Sequence, residues 1–355
     1  MIRVGSNISN LSRQNLLSGI QRITIETHKS LFKLKDQHGF MFTGVNASSL
    51  ELSENYKKSD YFLTDPILNG KLHNIESVST LLLLDYDFSL DFSKLYFLKN
   101  TNHLKIVSVV YDLIPILHPN LFDKGLEFSK LFRVYIQKIA ILSDVIVFNS
   151  QKSLSDFVSL GWSSSAQLKV IPLGAFKQFL EAPPSIKPSR TIISVGTIEP
   201  RKQHLIIIEA FNILISKNQD FKLFFVGNYG WLVDKRQILE HPEYGARFRW
   251  FQNLSDAEVK KLYRSSSIAV CASFDEGFGL PIEEALSNHV KVLVNRIETF
   301  IERTQPNLFF FDGTANDLAN KILELENVKY ESSALNQVRS IESFALEVAE
   351  LIVNI

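Results

Sequence analysis

The sequence has only one cysteine, Cys271, so no disulfide can form within the chain. This thiol lies in a predicted buried strand without a nucleophile motif around it, which favours a packed side chain over a catalytic one. No apolar run reaches the length of a membrane span, and the first residues lack the apolar segment of a signal peptide. We therefore expect a soluble, cytoplasmic protein.

The sequence also lacks an excess of charge of either sign. Lys and Arg together number 38, as do Asp and Glu, and this balance argues against wholesale binding of nucleic acid. Hydrophobic residues make up 45% of the 355 residues and charged residues 21%, which predicts a sizeable core and excludes disorder of the whole chain. A chain of this length suggests two domains. Nothing in the composition predicts an oligomeric state.

Motifs for metal ions and ATP-type phosphates are missing as well. The sequence has neither a Walker-type phosphate loop nor an HExxH helix. We also find no Asp-x-Asp pair of the metal-binding kind at a strand end. The sequence therefore predicts no metal site and no cofactor.

The most informative stretch is residues 275–286. It follows an apolar run, residues 267–272, that is typical of a short buried strand. Two glycines permit a tight turn, and Pro281 suits the first position of a helix. Glu276 precedes this turn and Glu284 falls in the first helical turn, whose unpaired N–H groups can seat a phosphate. A nucleotide sugar fits this arrangement, but the spacing alone leaves an ordinary strand-to-helix turn with acidic capping equally open.

Two further strand ends carry charged residues. Arg201 and Lys202 follow the strand predicted for residues 190–196, and two adjacent cations there either hold a diphosphate or form a solvated pair. Asp112 follows the β-branched run of residues 105–111. Open α/β sheets place their ligands at such ends, although turn-capping aspartates are also common there.

Near the start of the chain, Gly19 opens a helix predicted to extend to about Lys35. A turn formed by Ser18 and Gly19 could either offer backbone amides to a phosphate or simply cap the helix.

Four segments, in order along the chain, resemble the motifs of glycosyltransferase family 4, a group of retaining enzymes with the GT-B fold. The segments are Ser18-Gly19-Ile20-Gln21-Arg22, Val110-Tyr111-Asp112-Leu113-Ile114-Pro115, Ser194-Val195-Gly196-Thr197-Ile198-Glu199-Pro200-Arg201-Lys202, and the pair Glu276 and Glu284 with Gly277-Phe278-Gly279-Leu280-Pro281 between them. The sequence departs from the family at Tyr111, where many members have histidine. It departs again at Asn288-His289, where most members have glycine and then proline.

The resemblance implies a role for each matching residue. The implied sets are Asp112 and Glu276 for catalysis, Arg201, Lys202 and Gly19 for the donor diphosphate, Gly277, Phe278, Gly279 and Leu280 for the donor sugar, and Glu284 for the donor ribose. Because Tyr111 stands in place of histidine, the catalytic role of Asp112 stays open. Asn and His tolerate the left-handed conformation better than most residues, so the helix is still expected to end near His289.

The predicted fold class is α/β, a GT-B fold of two Rossmann-like domains facing a cleft. A proline-rich linker at residues 181–189 separates an acceptor-binding domain, residues 1–180, from a nucleotide-sugar-binding domain, residues 190–340. The C-terminal helix, residues 341–355, is expected to pack on the first domain, as it often does in this fold.

The resemblance implies retaining, metal-independent transfer of a hexose from a nucleoside-diphosphate sugar to a glycan or lipid-linked glycan acceptor, in the synthesis of a surface polysaccharide. The Tyr-Asp-Leu-Ile-Pro motif is similar to that of bacterial mannosyl- and rhamnosyltransferases and suggests GDP-mannose as the donor. An epimerase or a phosphorylase on the same scaffold is one alternative. The other is a non-catalytic module that binds sugar nucleotides or proteins, against which the intact charged residues argue.

One helix, residues 129–142, interleaves Lys130, Arg133 and Lys138 with apolar residues. Such a helix could contact an anionic membrane, but a packed helix with a solvated face is the commoner arrangement. A peripheral position at the inner face of a membrane therefore stays open.

Overall fold

The computed structural model describes residues 2–7, 19–45, 78–180, 189–331 and 337–355. Ser18 and residues 181–188 of the predicted linker lie outside the described residues. The strands are β1 Ile2–Asn7, β2 Phe40–Val45, β3 Thr80–Leu83, β4 Lys105–Val110, β5 Val145–Phe148, β6 Gln167–Val170, β7 Ser189–Val195, β8 Lys222–Val226, β9 Phe248–Phe251, β10 Ser266–Cys271, β11 Lys291–Asn295 and β12 Leu308–Phe311.

The α-helices alternate with these strands, and short 3₁₀ turns at Pro119–Leu121, Lys177–Phe179 and Pro200–Lys202 join some of the elements. The helices are α1 Gly19–His38, α2 Phe92–Asn102, α3 Ile114–Leu117, α4 Gly125–Leu142, α5 Gln151–Ser159, α6 His204–Ser216, α7 Arg236–Leu239, α8 Asp256–Ser265, α9 Leu280–Ser287, α10 Glu298–Ile301, α11 Ala315–Glu326 and α12 Ile341–Val353.

The chain divides into two compact units. The first comprises Met1–Leu113, Lys130–Gly174 and Ile341–Ile355, and the second comprises Ile114–Ser129 and Ala175–Ser340. This division differs from the predicted one in two segments, because residues 114–129 and 175–180 group with the second unit. Hydrogen bonds explain the difference: Trp231 Nε1 donates to the carbonyl oxygen of Leu121 at 2.7 Å, and Lys260 Nζ donates to that of Gln178 at 2.5 Å.

The first unit is built on a parallel sheet with the strand order β2-β1-β3-β4-β5-β6. Its interior strands β3 and β5 are buried along their whole length, as expected for a sheet covered by helices on both faces. Helix α12 packs against α1 and buries one stripe of apolar residues. The buried residues of that stripe are Ile341, Phe344, Ala345, Val348, Ala349 and Ile352.

The second unit has a parallel sheet with the order β12-β11-β10-β7-β8-β9. Strands β7, β8 and β9 extend to one side, and the chain then returns to place β10, β11 and β12 on the other side of β7. This is the strand order of a dinucleotide-binding Rossmann fold. Its core joins the sheet to helices α6 and α11 through large apolar side chains, among them Phe211, Phe225 and Leu318.

Several local predictions are confirmed. The helix predicted to begin at Gly19 begins there, and the strands predicted for residues 190–196 and 267–272 agree with β7 and β10 to within one residue at each end. At position 289, where most family members have glycine, His289 adopts a φ of 60°, two residues after the end of α9. The predicted α/β fold of two Rossmann-like domains is therefore confirmed at the level of elements and topology.

Candidate active site in the second unit

The two main sequence motifs leave neighbouring strands at the same edge of the second sheet. Strands β7 and β10 are paired in parallel, with Ile192 opposite Ile268 and Ile193 opposite Ala269. They lie where the chain changes direction across the sheet, since β8 follows on one side and β11 on the other. Open α/β sheets bind ligands outside the carboxyl ends of their strands at this switch point. The topology therefore brings the motif after β7 next to the motif after β10.

Glycine is needed where the second loop turns into α9. Gly279 caps this helix with a φ of 85°, and a Cβ atom built there would lie 2.8 Å from Cε1 of Phe300. Both the left-handed backbone and the tight contact exclude larger residues. The loop after β7 is crowded in a similar way, because a Cβ atom on Gly227 would lie 2.1 Å from the carbonyl oxygen of Gly196.

A buried cluster of four charged side chains lies between these loops. Glu276 forms ion pairs with Arg201, at 2.6 Å, and with Lys202. Arg201 also donates to Glu199 at 2.5 Å and to the carbonyl oxygen of Asp275 at 3.0 Å. Each of the four side chains in the cluster, Glu199, Arg201, Lys202 and Glu276, is at most 17% exposed. Two cations and two carboxylates therefore share one poorly hydrated space.

The cluster keeps Glu276 ionised. Burial alone would raise the pKa of this carboxyl, but the charges of Arg201 and Lys202 and hydrogen bonds from Lys202 and Ser273 outweigh burial and lower the pKa to about 2. Ser273 Oγ donates to Glu276 Oε1 at 2.7 Å, and Thr299 Oγ1 donates to the carbonyl oxygen of Glu276 at 2.5 Å. Hydrogen bonds therefore hold both the side chain and the backbone of Glu276.

Glu284 is buried in the second turn of α9, one residue beyond the first turn in which the sequence predicted it. The hydroxyl of Tyr263 donates to its Oε2 at 3.4 Å, and Asn288 Nδ2 donates to its carbonyl oxygen at 2.8 Å. Helix α9 follows Gly279 directly, so Glu276 and Glu284 flank the glycine turn as the sequence predicted. The structure therefore brings Arg201, Lys202, Glu276, Glu284 and the turn to one edge of one sheet.

A second buried ion pair, which the sequence did not predict, contacts the glycine turn at Phe278. Arg303 pairs with Glu283, and their side chains are 8% and 2% exposed. Arg303 Nη2 also donates to the carbonyl oxygen of Phe278 at 2.5 Å, and its guanidinium carbon lies 4.3 Å from the centre of the Phe278 ring. Gln305 Nε2 donates to Glu283 Oε1 at 2.8 Å. Arg303 therefore holds both the backbone and the ring of Phe278.

The loop after β10 has another contact that sequence reasoning missed. His118 Nε2 lies 3.4 Å from Oδ2 of Asp275, and its ring packs edge-to-face on Phe274 with centroids 5.1 Å apart. His118 belongs to Ile114–Ser129, the part of the second unit that precedes β7 in the chain. A histidine between two prolines is typical of a surface loop, so no local signal pointed to this contact.

Asp112 lies in the first unit, two residues after the end of β4. Its backbone is held by Tyr86, whose hydroxyl accepts from the N–H of Tyr111 at 2.7 Å and from the N–H of Asp112 at 3.3 Å. Tyr111, which replaces the family's histidine, is buried and donates its hydroxyl to the carbonyl oxygen of Leu84 at 2.7 Å. Burial raises the pKa of Tyr111 well above its ordinary value. A buried phenol tied to the main chain does not substitute for a histidine in proton transfer.

Gly19 is the exposed first residue of α1 in the first unit. An Asp-x-Asp sequence, which the sequence analysis did not find, follows β3 in the same unit at Asp85 and Asp87. Asp87 Oδ1 accepts from the backbone N–H and from the hydroxyl of Ser89, at 2.9 and 2.6 Å, and so closes a turn. Among the described residues, no three His, Cys, Asp or Glu side chains form a group that could hold a metal ion. Within the same ranges, no helix is both long and apolar enough to cross a membrane.

Comparisons with known sequences agree with this geometry. The family model Glycosyl transferases group 1 matches residues 176–338, which fall within the second unit. The serotype-specific mannosyltransferase WbdA of Escherichia coli is 30% identical over 250 residues, which are 64% of this chain and 30% of WbdA. A GDP-Man:Man(3)GlcNAc(2)-PP-Dol alpha-1,2-mannosyltransferase of Xenopus laevis is 25% identical over 191 residues, which are 50% of this chain and 39% of that protein. The chain thus spans less than a third of WbdA.

Solved structures extend the likeness to the whole chain. HepE of Anabaena, crystallised with UDP and glucose, matches with a TM-score of 0.68 at 16% identity and covers 100% of both chains. Sucrose-phosphate synthase of Thermosynechococcus elongatus matches with a TM-score of 0.71 at 13% identity and covers 99% of this chain and 98% of its own. At these identities the likeness concerns the fold alone. Residues 176–338 therefore match the family model Glycosyl transferases group 1, in a chain that has the GT-B fold.

Proposed function

We propose that this chain is a glycosyltransferase that moves a hexosyl group from a nucleoside-diphosphate sugar to a hydroxyl of a glycan or lipid-linked glycan acceptor. We further propose that the transfer retains the configuration of the anomeric carbon, needs no bound metal ion and serves the synthesis of a surface polysaccharide. GDP-mannose is the first donor to test, because the relatives named above are mannosyltransferases and the name of one includes GDP-Man.

The observation that carries this proposal is the charged cluster at the switch point of the second sheet. Arg201 and Lys202 already face a carboxylate there, at Glu276. A diphosphate entering this space would add negative charge beside two cations whose side chains are at most 17% exposed. Because few waters compete, each charge-assisted hydrogen bond to the diphosphate would be worth about 1.5–3 kcal/mol. Such cations would stabilise the departing diphosphate in the role that a metal ion has elsewhere.

The glycine turn would hold the donor on either side of its diphosphate. Backbone N–H groups of residues 277–280 and the carboxylate of Glu276 would bind hydroxyls of the donor sugar. Glu284, in the second turn of α9, would accept hydrogen bonds from the ribose hydroxyls. Fixed, partly dehydrated dipoles of this kind bind a polar ligand without having to reorganise.

In the proposed reaction the bond between the anomeric carbon and the diphosphate oxygen breaks, and a bond from the acceptor oxygen forms on the same face. The proton of the acceptor hydroxyl passes to the leaving diphosphate oxygen. The ionised Glu276 would stabilise the positive charge that develops on the sugar. In the first unit, Asp112 would orient the sugar or the acceptor, and Gly19 would offer its backbone N–H to the diphosphate.

The first test is calorimetry with GDP-, UDP-, dTDP- and ADP-sugars in the presence of a chelator, followed by a transfer assay with the donor that binds. The NMR signal of the product's anomeric proton reports whether configuration is retained. Glu276→Gln should bind the donor but transfer its sugar at least about 100-fold more slowly, because the charge that stabilises the transition state is lost. The matched control is Glu243→Gln, which removes a carboxylate paired with Arg247 elsewhere in the same unit.

Three results would count against the proposal. No binding of any donor by folded protein, either with the chelator or with added Mg²⁺, would remove the transferase interpretation. Donor binding without transfer to any acceptor, unchanged by Glu276→Gln, would favour a non-catalytic sugar-nucleotide module. An inverted product, or binding that requires a divalent cation, would refute the proposed mechanism while keeping the enzyme class.

A further inference from the structure

The outward face of α4 presents apolar side chains to solvent. Leu131, Val134 and Ile141 are 51%, 48% and 61% exposed, although helices of globular proteins usually direct such residues inward. Lys130 and Lys138 are exposed on the same helix. At about 100° of rotation per residue, these five side chains fall within one arc of about 100°.

The opposite side of α4 already supplies the core of the first unit. Phe132, Tyr135, Ile136 and Ile139 are at most 4% exposed. The outward apolar residues are therefore not needed to hold the helix in place. Lys130 lies at one border of the arc and Lys138 lies near the other, beside Leu131. Glu127 falls within the same arc about one turn earlier, in the first turn of the helix.

A neighbouring helix extends this surface. Tyr96 and Phe97 of α2 are 60% and 59% exposed. An open groove of about 330 Å³ lies between the two helices. At the edge of this groove, Lys138 Nζ lies 4.9 Å from the centre of the Phe92 ring. The groove is lined by Phe92, Ser93, Tyr96, Lys138, Ile141 and Leu142. We call this surface the α4 face: Lys130, Leu131, Val134, Lys138 and Ile141 together with Tyr96 and Phe97.

We propose that the α4 face binds the surface of an anionic lipid bilayer. Its apolar side chains would enter the boundary between headgroups and acyl chains, and its lysines would lie among anionic headgroups, as in helices that rest in the plane of a membrane. Aromatic residues such as Tyr96 suit that boundary because one end is apolar and the other is polar.

Charge favours lipid over a second copy of this chain. In a symmetric dimer the same patch contacts itself, so the lysines of one copy would approach those of the other. Like charges brought together in an interface are unfavourable, whereas anionic headgroups neutralise them. The proposal is independent of the catalytic one, because vesicle binding requires neither donor nor acceptor.

The test is flotation of the full chain with vesicles of phosphatidylcholine, with and without phosphatidylglycerol, at low and high salt. The wild type should float with the anionic vesicles and lose this association at high salt. Leu131→Gln/Val134→Gln/Ile141→Gln should lower the bound fraction at least about ten-fold, because the apolar contact is removed. Lys130→Gln/Lys138→Gln should abolish the preference for anionic over neutral vesicles.

The control variant is Leu346→Gln/Val353→Gln, which changes two exposed apolar residues of α12 in the same unit, each 38% exposed. It should float like the wild type, and circular dichroism should show all variants folded. Wild-type protein that stays with the unbound fraction, or a triple variant that floats like the wild type, would overturn the proposal. So would sedimentation showing that the wild type is a dimer and the triple variant a monomer, because the α4 face would then be an interface between copies.

Discussion

The two parallel sheets end in different chemistry at their carboxyl edges. In the second unit, the edge of β7 and β10 holds Arg201, Lys202 and Glu276 in a buried charged cluster. In the first unit, the edge of β3 and β4 holds Tyr86 and Tyr111, whose hydroxyls bind the main chain. The edge of the second unit, the charged edge, pairs cations with carboxylates in a poorly hydrated space. The edge of the first unit carries aspartates, at Asp85, Asp87 and Asp112, beside phenols that bind the main chain.

The difference indicates how the two units would divide the work that we propose. A diphosphate requires cations, and only the second edge concentrates them within the described residues. The first edge holds the main chain at Asp112 through Tyr86 Oη, which accepts from its N–H and donates to its carbonyl oxygen, both at 3.3 Å. Hydrogen bonds to a backbone fix a position without changing the charge nearby. The following substitutions would break or sharpen this contrast.

The largest effect is expected from Arg303, which supports the charged edge. Arg303→Gln leaves Glu283 buried without its cation, and we expect the free energy of unfolding to fall by about 3–5 kcal/mol. Because Phe278 loses its carbonyl partner, affinity for a nucleotide sugar should fall more than affinity for the nucleoside diphosphate alone. Urea unfolding and calorimetry measure the two effects.

Glu283→Gln and the double variant complete a thermodynamic cycle for this ion pair. The double variant should be more stable than the sum of the two single changes predicts, since neither charge is then left alone. Additive losses would show that Arg303 and Glu283 do not interact as the structure indicates.

A smaller effect is expected from Gly279→Ala in the turn before α9. Gly245 provides a matched comparison, because its φ of 84° equals that of Gly279 within a degree but nothing lies within 4 Å of a Cβ built there. Gly245→Ala should cost about 1 kcal/mol from backbone strain alone. Gly279→Ala should cost about 1–3 kcal/mol more, because the methyl group meets Phe300. Equal losses in urea unfolding would contradict the crowding at Gly279.

The edge of the first unit can be tested with Tyr86→Phe. This change removes the acceptor for the N–H groups of Tyr111 and Asp112, and we expect a loss of stability of about 1–3 kcal/mol. If Asp112 acts as proposed, kcat should fall while KM for the donor stays within about two-fold. Tyr135→Phe is the control, since Tyr135 belongs to the same aromatic cluster but donates to the carbonyl oxygen of Asp85 at 3.3 Å. Equal kinetics for both variants would refute the positioning role of Tyr86.

The smallest effect concerns pH and His204, which is buried beside the charged edge. Burial, and then the charge of Lys202, lower the pKa of His204 to about 3. Unfolded protein therefore takes up a proton near pH 6.5 that the folded protein does not, so stability falls as pH decreases. Between pH 7.5 and pH 5.5 this loss should reach about 1.4 kcal/mol. His204→Phe should remove that part of the pH dependence in urea unfolding, and an unchanged slope would contradict it.

Much of the fold could be predicted because local rules determine it. Apolar runs predict β7 and β10 to within one residue at each end, and Gly19 marks the start of α1. His289 ends α9 with a positive φ, as the tolerance of histidine for that conformation predicted. The division into units was harder to predict, because Ile114–Ser129 joins the second unit through contacts that are distant in sequence.

The candidate site was predictable only in part, for the same reason. The motifs placed Arg201, Lys202 and Glu276 at strand ends, and parallel pairing of the two strands brought them together. Their mutual ion pairs, and the support of Phe278 by Arg303, depend on how loops pack against each other. The hydroxyl of Tyr111 donates to the carbonyl oxygen of Leu84 and does not replace the function of a histidine. The identity of the residue alone does not predict this hydrogen bond.

The central claim is that the charged cluster binds the diphosphate of the donor. The most direct test compares, by calorimetry, the nucleoside diphosphate of the donor that binds with its nucleoside alone. The test variant is Arg201→Gln/Lys202→Gln/Glu276→Gln, which removes both cations of the cluster and the carboxylate that they share. The control is Lys217→Gln/Lys321→Gln/Glu324→Gln, which also removes two cations and a carboxylate from the same unit and includes the Lys321–Glu324 pair at 2.7 Å.

We predict that the test variant binds the nucleoside diphosphate at least about 100-fold more weakly than the control, because two charge-assisted contacts are lost. Both variants should bind the nucleoside equally. If the two variants, both folded, bind the nucleoside diphosphate with the same affinity, the cluster has only a structural role and the account of this site is wrong.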